Sequence, residues 1–404
     1  MHYRPDILII GAGISGITCA KKCREYNLDY LLLEKSNRIG GRVGSIYKGG
    51  YIFDIGFQVF NTSYDFTRSL LDLDQLNLQF FKPGALIYDD EKFNIISDPM
   101  RDLRQIFNTL FSRVLTISDK LKILQLKYSL KNYLIENDIT KDKDTLTFLE
   151  DYGFSKKLIN NFFLPFFSGV FLEKKLRTSS KFFKYVFSKF SSGLACIPAK
   201  GMQDIPNNLL KKINNDTIKY ESEVKEIITE SEVKLTDGQI YRPKKIILTG
   251  DSQFLISKKD IKYNSVKTLY FCSDNKPINS EYIHIFPKEP YINNIAFLTS
   301  VSRQYSKNND NLISVSVIES KISDIDLITH VKDRLVKIYG GNFNFLKYFD
   351  IAKATLYQPV NYFNQKSYKN NNIYFSGDYL VHGSIEGSVL SGIKVLDDIY
   401  KNFR

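Results

Sequence analysis

Hydrophobic and polar positions near the start of the chain predict a strand–helix–strand unit. Asp6–Ile10 is a short apolar run that predicts a buried strand, and it enters a turn with three glycines. A helix is expected from this turn to about Tyr26, followed by a second strand from Leu28 to Glu34. The unit has the length that a Rossmann-type dinucleotide-binding domain requires.

The middle of the chain has a different pattern. Apolar residues recur at helical spacing from Leu103 to Ile135, and a dense group of phenylalanines follows, so we expect a mainly helical insertion over residues 71–194. Pro165 and Gly169 are expected to break regular helix. The aromatic cluster is most simply a packed core, and the alternative is the wall of an apolar substrate cavity.

Strand patterns return after about residue 193. Short apolar runs, some with alternating polar positions, predict strands at Glu223–Ile228, Val233–Thr236, Ile246–Leu248, Thr268–Phe271, Leu312–Val317 and Ile373–Phe375. Helical spacing predicts helices near Leu327–Ile338 and from about Ser384 to Tyr400. The order of these elements indicates an α/β fold.

Length and composition narrow the classes of protein. A chain of 404 residues is too long for one hydrophobic core, which favours two domains. The net charge of +12 comes from lysines spread along the chain rather than from a basic block, so we expect no nucleic-acid partner. Four cysteines without ligand-like spacing predict neither a disulfide framework nor a metal site.

The same properties bear on location. The first strand begins by about Asp6, so no signal or transit peptide is expected, and no apolar stretch is long enough for a transmembrane segment. Any membrane contact would be peripheral. The cysteine usage favours a reducing compartment, and we expect a cytoplasmic protein.

The glycine-rich turn carries the first candidate chemistry. Gly11 permits a tight turn, Gly13 allows close approach of a pyrophosphate, and Gly16 allows close helix–strand packing. The helix N-terminus offers N–H groups to phosphates, and the Glu34 carboxylate suits ribose hydroxyls. NAD and FAD fit these residues equally well. The predicted contacts are Gly11, Ala12, Gly13, Ser15, Gly16, Glu34 and Lys35.

The next segments favour FAD. The runs Ile39–Val43, Phe53–Gln58, Ser376–Asp378 and Gly383–Gly392 resemble the signatures of the flavin-containing amine oxidase and phytoene desaturase superfamily of FAD enzymes. Several runs resemble more closely its bacterial NAD(P)/FAD-dependent oxidoreductase branch. The resemblance implies that Gly41 and Arg42 lie along the pyrophosphate, and that Gly56, Phe57 and Gln58 lie against the flavin ring.

The resemblance also assigns roles near the C-terminus. Gly377 and Asp378 would bind the ribityl or phosphate region, and the start of the last helix, at Ser384, Ile385 and Gly387, would face the N1/O2 edge of the flavin. A backbone group near Val224 would meet the adenine. Covalent attachment in this family uses a late Cys, and none follows Cys272 here, so we expect non-covalent FAD.

Three positions concern the reaction itself. Ser384 stands where many amine oxidases have an aromatic residue of an amine-binding cage, which argues against that substrate mode. Lys267 is the best positional candidate for the lysine that many amine oxidases hold near flavin N5, although an ordinary strand lysine is the simpler interpretation. His382 is a second weak candidate, because imidazole can act as acid or base.

The resemblance and the residues together predict a two-domain flavoprotein. Residues 1–70, 195–255 and 365–404 are expected to form a discontinuous Rossmann-type FAD-binding domain. Residues 71–194 and 256–364 are expected to form a substrate domain, in which a mixed sheet from the second range carries the helical insertion.

The expected activity is that of an FAD-dependent oxidoreductase, amine oxidase-like or phytoene desaturase-like, that moves a hydride from a small, mainly apolar substrate to flavin N5. Three alternatives stay open: a flavin-dependent isomerase of the carotenoid type, a non-catalytic binding protein on the same fold, and an NAD(P)-only dehydrogenase. Glu34, Arg42 and Asp378 argue against the binding protein, because related binding proteins lack an intact FAD signature.

Overall fold

The structure is a computed structural model that describes residues 4–89, 91–96, 116–211, 213–256, 261–364 and 369–402. Its strands, in chain order, are β1 Ile7–Ile10, β2 Tyr30–Leu33, β3 Ser45–Lys48, β4 Tyr51–Asp54, β5 Phe60–Asn61, β6 Leu78–Phe80, β7 Ala85–Asp89, β8 Lys92–Ile96, β9 Ala195–Pro198, β10 Ile218–Lys219, β11 Val224–Thr229, β12 Glu232–Leu235, β13 Ile240–Tyr241, β14 Lys245–Thr249, β15 Tyr263–Ser273, β16 Ile283–Ile285, β17 Asn294–Phe297, β18 Asn311–Val317, β19 Asn344–Leu356, β20 Lys369–Asn370 and β21 Ile373–Ser376.

Its α-helices are α1 Ile14–Glu25, α2 Asp65–Leu70, α3 Leu73–Leu76, α4 Ile117–Ser129, α5 Thr145–Asp151, α6 Lys156–Leu158, α7 Leu164–Phe171, α8 Ser180–Ser192, α9 Asp204–Leu210, α10 Leu298–Val301, α11 Asp324–Tyr339 and α12 Ile385–Lys401. The part of the predicted helical stretch over residues 103–115 lies outside the described residues.

A six-stranded sheet joins the two ends of the chain. Its strand order is β10-β2-β1-β14-β21-β20, and all neighbours are parallel except β20 and β21. Every residue of β1 and β2 is buried, as expected for central parallel strands. Helices α1 and α12 pack against each other on this sheet. The N-terminal and C-terminal motifs therefore belong to one Rossmann-type unit.

A second, seven-stranded sheet has the order β19-β15-β18-β17-β16-β7-β8. We expected this sheet to come only from residues 256–364. Strands β7 and β8 instead lie within residues 71–194, and β7 pairs in parallel with β16, with Ala85 opposite Ile283. The predicted helical insertion therefore contains strands as well as helices.

Helices α4 to α8 surround a separate aromatic core. Phe163, Phe167 and Phe171 are buried there, whereas Phe162 and Phe166 are half-buried. The cluster is thus mainly ordinary core packing, with a few rings left at its edge.

The expectation that Gly169 breaks the helix is wrong. A π-helical turn at Ile159–Phe163 runs directly into α7, and Pro165 lies in the first turn of α7, where proline is tolerated. Gly169 lies inside α7, and a Cβ there would be 2.7 Å from Nδ2 of Asn293. The glycine allows close packing instead of ending the helix.

A buried carboxylate connects the β3–β4 hairpin to the rest of the protein. Asp54 accepts hydrogen bonds from Ser45 Oγ at 2.5 Å, from the backbone N–H of Met202 at 2.9 Å, and from the Tyr305 hydroxyl at 2.7 Å. The Tyr270 hydroxyl on β15 donates to the Asp54 carbonyl at 2.8 Å. Burial raises the pKa of Asp54 to about 6, although its hydrogen bonds favour the charged form.

Among the residues that the structure describes, no helix has both the length and the apolar sequence that a bilayer crossing requires.

Candidate functional site

The glycine turn between β1 and α1 contains two different kinds of glycine. A Cβ on Gly11, which has a φ of 99°, would lie 2.6 Å from Oγ1 of Thr249, and a Cβ on Gly16 would lie 1.9 Å from the Gly11 carbonyl oxygen. Protein packing therefore demands these two glycines. A Cβ on Gly13 would meet no atom within 4 Å. The protein leaves the space beside Gly13 open, as close approach by a phosphate requires.

The N-terminus of α1 is free to bind an anion. Its N-cap is Gly13, which supplies no side-chain cap, and the first turn contains no acidic residue. Ala12 and Ser15 flank this position and are buried. Uncapped N–H groups at the positive end of a 12-residue helix can hold a phosphate.

Glu34 follows β2 and lies beside the glycine turn. Its Oε2 accepts a hydrogen bond from the Ala12 N–H at 2.8 Å, and its Oε1 accepts from the backbone and hydroxyl of Ser36. The carboxylate is half-buried, and Oε2 keeps room for a further donor, as a ribose hydroxyl would be, whereas Oε1 already accepts two hydrogen bonds. Lys35 is exposed next to it.

The Gly-Gly-Arg turn packs directly on the glycine turn. The Gly40 N–H donates to the Ala12 carbonyl at 2.8 Å, and a Cβ on Gly41 would lie 3.3 Å from the Gly13 Cα. Arg42 extends from this turn and forms a 2.6 Å ion pair with Asp378.

Arg42 and Asp378 bring the two ends of the chain together. Arg42 is 35% exposed and Asp378 5% exposed, so the guanidinium keeps an accessible side. Burial lowers the pKa of Arg42, but the charge and hydrogen bond of Asp378, together with nearby Tyr263 and Asp251, raise it by more, and the side chain stays cationic. A fixed cation beside the open helix N-terminus suits a pyrophosphate.

The Gly56 loop lies between Arg42 and the seven-stranded sheet. Gln58 Nε2 donates to the carbonyl oxygens of Arg42 and Ile55, each at 2.8 Å. Gly56 has a φ of 85°, and a Cβ on it would lie 3.0 Å from Ile351 Cδ1 on β19. Phe57 is half-buried, with its ring edge-on to Phe81.

The C-terminal motif forms the opposite wall. The Gly377 N–H donates to Ser391 Oγ at 2.9 Å, which fixes the turn before Asp378. Ser384 is the N-cap of α12 and accepts from the Gly387 N–H at 3.0 Å. That N–H is therefore already used, and a Cβ on Gly387 would lie 2.0 Å from the His382 carbonyl oxygen. Of the predicted flavin contacts on this helix, the N–H of Ile385 is better placed than that of Gly387.

Val224 begins β11, and the residues just before it contact the segment that follows β2. The Ser222 N–H donates to the Glu34 carbonyl at 2.9 Å, so the segment leading into Val224 is hydrogen-bonded to the residue predicted to bind ribose. The structure thus brings Val224 to the same end of the site as Glu34.

Lys267 does not join this group. Its ammonium lies 2.6 Å from Asp324 and 3.8 Å from Asp350. The next residue on β15, Thr268, points to the other face of the sheet, where its Oγ1 would lie 3.9 Å from a Cβ on Gly56. The simpler interpretation of Lys267, an ordinary strand lysine, agrees with this placement.

His382 is buried beside the aromatic helix α8. Its Nδ1 lies 3.0 Å from Ser384 Oγ, and its ring centroid lies 4.0 Å from that of Tyr185. The ring centroid of Phe182 lies 6.2 Å from that of the same imidazole. The helical insertion therefore reaches the start of α12.

Sequence reasoning missed several residues that build this site. Thr249 ends β14, and its hydroxyl contacts the carbonyl oxygens of Ile10 and Gly11 at 2.8 and 2.9 Å. Glu386 is buried and accepts hydrogen bonds from the backbone N–H groups of Phe66 and Thr67. Glu386 lies inside the run Gly383–Gly392, so the sequence could have identified it as a site residue. A lone Thr at a strand end gives no such signal.

Buried polar atoms without a hydrogen-bond partner among the described residues include four that lie on the motif loops or beside them. These four are Gln58 Oε1, Thr268 Oγ1, Gln358 Nε2 and the Tyr185 hydroxyl. Gln358 Oε1 accepts from the Gly383 N–H at 3.0 Å, which places its amide next to His382. Buried polar groups are rarely left unpaired, so these four atoms are available to a ligand bound at the motif loops. Together with the open space at Gly13, they fit a dinucleotide.

Comparison with known proteins agrees with this geometry. The family model described as flavin containing amine oxidoreductase matches residues 14–399. Phytoene desaturase of Cercospora nicotianae is 30% identical over 103 residues, which are 24% of this chain and 17% of that relative's length. The aligned stretch is thus a small part of the curated relative.

Solved structures match the chain along almost its whole length. An oxidoreductase from Methanosarcina mazei has a TM-score of 0.75 at 16% identity, with 97% of this chain and 99% of that chain covered. Cyclohexylamine oxidase from Brevibacterium oxydans has a TM-score of 0.73 at 16% identity, with 99% and 100% covered. This likeness confirms the predicted fold class.

Proposed function

This chain belongs to the flavin containing amine oxidoreductase family, which makes it an FAD-dependent oxidoreductase, and from that premise we propose that it takes a hydride from an organic, mainly apolar substrate. The observation that carries the proposal is the meeting of the N-terminal and C-terminal motifs at the carboxyl ends of the parallel strands of one sheet. There the open Gly13, the uncapped α1 and the Arg42–Asp378 pair face a common space.

We assign the phosphate end of the site to Gly13, the first turn of α1, and Arg42. Uncapped N–H groups and a cation provide positive potential without a metal ligand set. Glu34 and the segment leading to Val224 adjoin this end, so they suit the ribose and adenine of the same cofactor.

The flavin end is assigned to the Gly56 loop and the start of α12. Gln58 Oε1 and Thr268 Oγ1 lack partners there, and the positive end of the α12 dipole stabilises negative charge. FAD bound at these residues would supply hydride acceptance at its N5 atom. The Gly56 loop packs on β15 and β19 of the seven-stranded sheet, and we therefore assign the substrate to this side of the cofactor.

The preference for an apolar substrate rests on α8. Phe182 and Tyr185 bring the edge of the aromatic core to His382, and the Phe57 ring is half-buried on the Gly56 loop. Such a wall excludes water and favours apolar carbon skeletons. Tyr185 and Gln358 add one hydroxyl and one amide donor, which suit a neutral oxygen acceptor on that skeleton.

A direct test is the absorbance spectrum of the purified protein, followed by anaerobic reduction with amines and polyenes. We expect a yellow protein whose flavin is bleached by an apolar substrate, and whose FAD enters the supernatant after heat precipitation. A colourless preparation that also fails to take up added FAD would refute the assignment. Bleaching only by small polar amines would refute the apolar preference.

Tyr185→Phe tests the polar contact separately. A hydroxyl that is buried and unpaired costs stability, so its removal should leave the melting temperature unchanged or raise it. If the hydroxyl binds substrate, KM should rise while the flavin spectrum stays the same. An unchanged KM would refute a contact between the Tyr185 hydroxyl and the substrate, whatever the melting temperature.

A further inference from the structure

The two faces of the seven-stranded sheet differ in polarity at its centre. On one face, Thr268 of β15 lies beside Ser316 of β18, which in turn lies beside Asn294 of β17. Residues paired across strands point to the same side of a sheet, so these three side chains form one row, which we call the polar row. All three are buried. The opposite face, which α11 covers, is apolar at the same strands and carries Leu269, Phe271, Ile295, Ile313 and Val315.

The polar row lies toward the β3–β4 hairpin and α7. Tyr270 shares the face of Thr268, because it lies two residues farther along β15, and its hydroxyl bonds to the end of β4 at 2.8 Å. At one end of the row, Thr268 Oγ1 would lie 3.9 Å from a Cβ on Gly56. At the other end, Asn294 Oδ1 would lie 3.2 Å from a Cβ on Gly169 of α7. The row thus extends from the Gly56 loop to the aromatic insertion, over roughly 10 Å for two strand spacings.

Two atoms of the polar row are not used by the protein itself. Thr268 Oγ1 and Asn294 Nδ2 are buried, and neither has a hydrogen-bond partner within the described part of the chain. A buried polar group without a partner costs stability, and the apolar opposite face shows that these strands also accept apolar side chains. Both atoms are therefore available to a ligand that lies along the row.

The polar row is separate from the polar contacts proposed above for Tyr185 and Gln358. Gln358 follows β19, whose last residue, Leu356, pairs with Tyr263 at the start of β15. Thr268 lies farther along β15 by five residues, which span roughly 15 Å at the rise of an extended strand. The row is therefore a second polar contact surface and not a part of the first.

We propose that the polar row binds an uncharged oxygen group of the substrate, an alcohol or a ketone, so that the substrate is an oxygenated hydrocarbon and not an alkylammonium ion. This inference rests on the proposed function, since it takes the substrate to lie beside the Gly56 loop. The amide of Asn294 donates to a carbonyl or hydroxyl oxygen, and the hydroxyls of Thr268 and Ser316 both donate and accept.

Charge argues against an ammonium group at this place. Threonine, serine and asparagine side chains are uncharged, so an ammonium ion on the row would lose its hydration without gaining a counter-charge there. The carboxylate of Asp54, near the same face, already accepts hydrogen bonds from Ser45, Met202 and Tyr305. An alcohol or a ketone loses less hydration and gains the unused donors of the row.

The test measures binding of octanone, octanol, octylamine and octane to the flavin-loaded protein, by flavin difference spectra and calorimetry at neutral pH, where octylamine is cationic. We expect octanone and octanol to bind more tightly than octylamine and octane. Thr268→Val and Asn294→Leu remove the unused groups with little change of volume. Each should weaken binding of the oxygenated probes about tenfold and leave binding of octane unchanged. Thr268→Ser keeps the hydroxyl and should retain the native affinity.

Ser280→Ala is the matched control. The Ser280 hydroxyl is also buried and without a partner among the described residues, but it lies in the loop before β16. The control should bind every probe like the unmodified protein, and neither it nor the row variants should melt earlier, because each loses an unpaired buried group.

The proposal fails if octylamine binds as tightly as octanone, if neither oxygenated probe binds, or if Thr268→Val and Asn294→Leu bind the probes like Ser280→Ala. These failures leave FAD binding intact. A colourless protein that takes up no added FAD would refute the proposed function together with this inference, and the absorbance spectrum shows that result before any probe is added.

Discussion

Replacing Gly13 by valine should show whether this glycine is needed for FAD binding or for packing of the protein itself. Gly13 has a φ of −69° and a ψ of 177°, an extended conformation that valine adopts readily. Because a Cβ there meets no atom within 4 Å, the protein without FAD should fold normally. Its stability should stay the same or rise by up to about 1 kcal/mol, since the unfolded chain loses freedom.

The FAD-bound form should behave differently. A branched side chain at Gly13 would occupy the space that the pyrophosphate needs. Loss of two hydrogen bonds to charged phosphate oxygens, at about 1.5–3 kcal/mol each, would cost at least about 3 kcal/mol of binding free energy. That corresponds to an affinity about two orders of magnitude lower.

The assay is thermal unfolding of the flavin-stripped protein together with a titration of FAD by fluorescence quenching. Gly16→Ala is the comparison variant, since its Cβ would lie 1.9 Å from the Gly11 carbonyl oxygen and must disturb the fold itself. We expect Gly16→Ala to lower the melting temperature without FAD, and Gly13→Val to lower only the affinity. Native affinity in Gly13→Val would refute the assignment of this turn to the pyrophosphate, as would early melting of its stripped form.

Three further predictions concern single side chains. Glu34→Ala should weaken FAD binding by about 1.5–3 kcal/mol in the same titration, and an unchanged Kd would confine Glu34 to its contacts within the protein. Lys267→Met should leave the rate of anaerobic flavin reduction unchanged, because the ammonium pairs with Asp324 at 2.6 Å, and a large fall in rate would contradict this placement. The pKa of Asp54 is raised from 3.8 to about 6 in the folded protein, so Asp54 loses its proton in the unfolded chain first as pH rises. The free energy of unfolding should therefore fall by about 2 kcal/mol between pH 4 and pH 6. Urea unfolding at both pH values should show that the free energy of unfolding of Asp54→Asn lacks this fall. An equal change between pH 4 and pH 6 in the two proteins would disprove the assignment to Asp54.

The sequence predicted those residues of the site that are required by the turn or helix in which they lie. Gly11 and Gly16 are required by the turn and helix that they join, and the motif order at both chain ends placed Arg42 and Asp378 in one domain. Their direct 2.6 Å ion pair is a detail that the motifs do not contain.

Side-chain direction and long-range pairing could not be predicted in the same way. The direction of Lys267 depends on the register of β15 against β19, which is shifted by an irregularity between Asn264 and Val266. The pairing of β7 with β16 joins segments far apart in sequence, and a short apolar run does not reveal its partner. Gly169 was misjudged because an isolated glycine is tolerated in a helix when packing demands it.

The bonds between Glu386 and residues 66–67 connect segments 320 and 319 residues apart. Strand β21 likewise completes a sheet begun by β1. At typical synthesis rates of about 5–20 residues per second, the ribosome holds the N-terminal unit for roughly 20–80 s before α12 emerges. The N-terminal and C-terminal motifs therefore cannot meet until β21 and α12 have been synthesised. Until then the exposed edge of β14 is a template for wrong pairing, so rapid docking of β21 protects the new chain from aggregation.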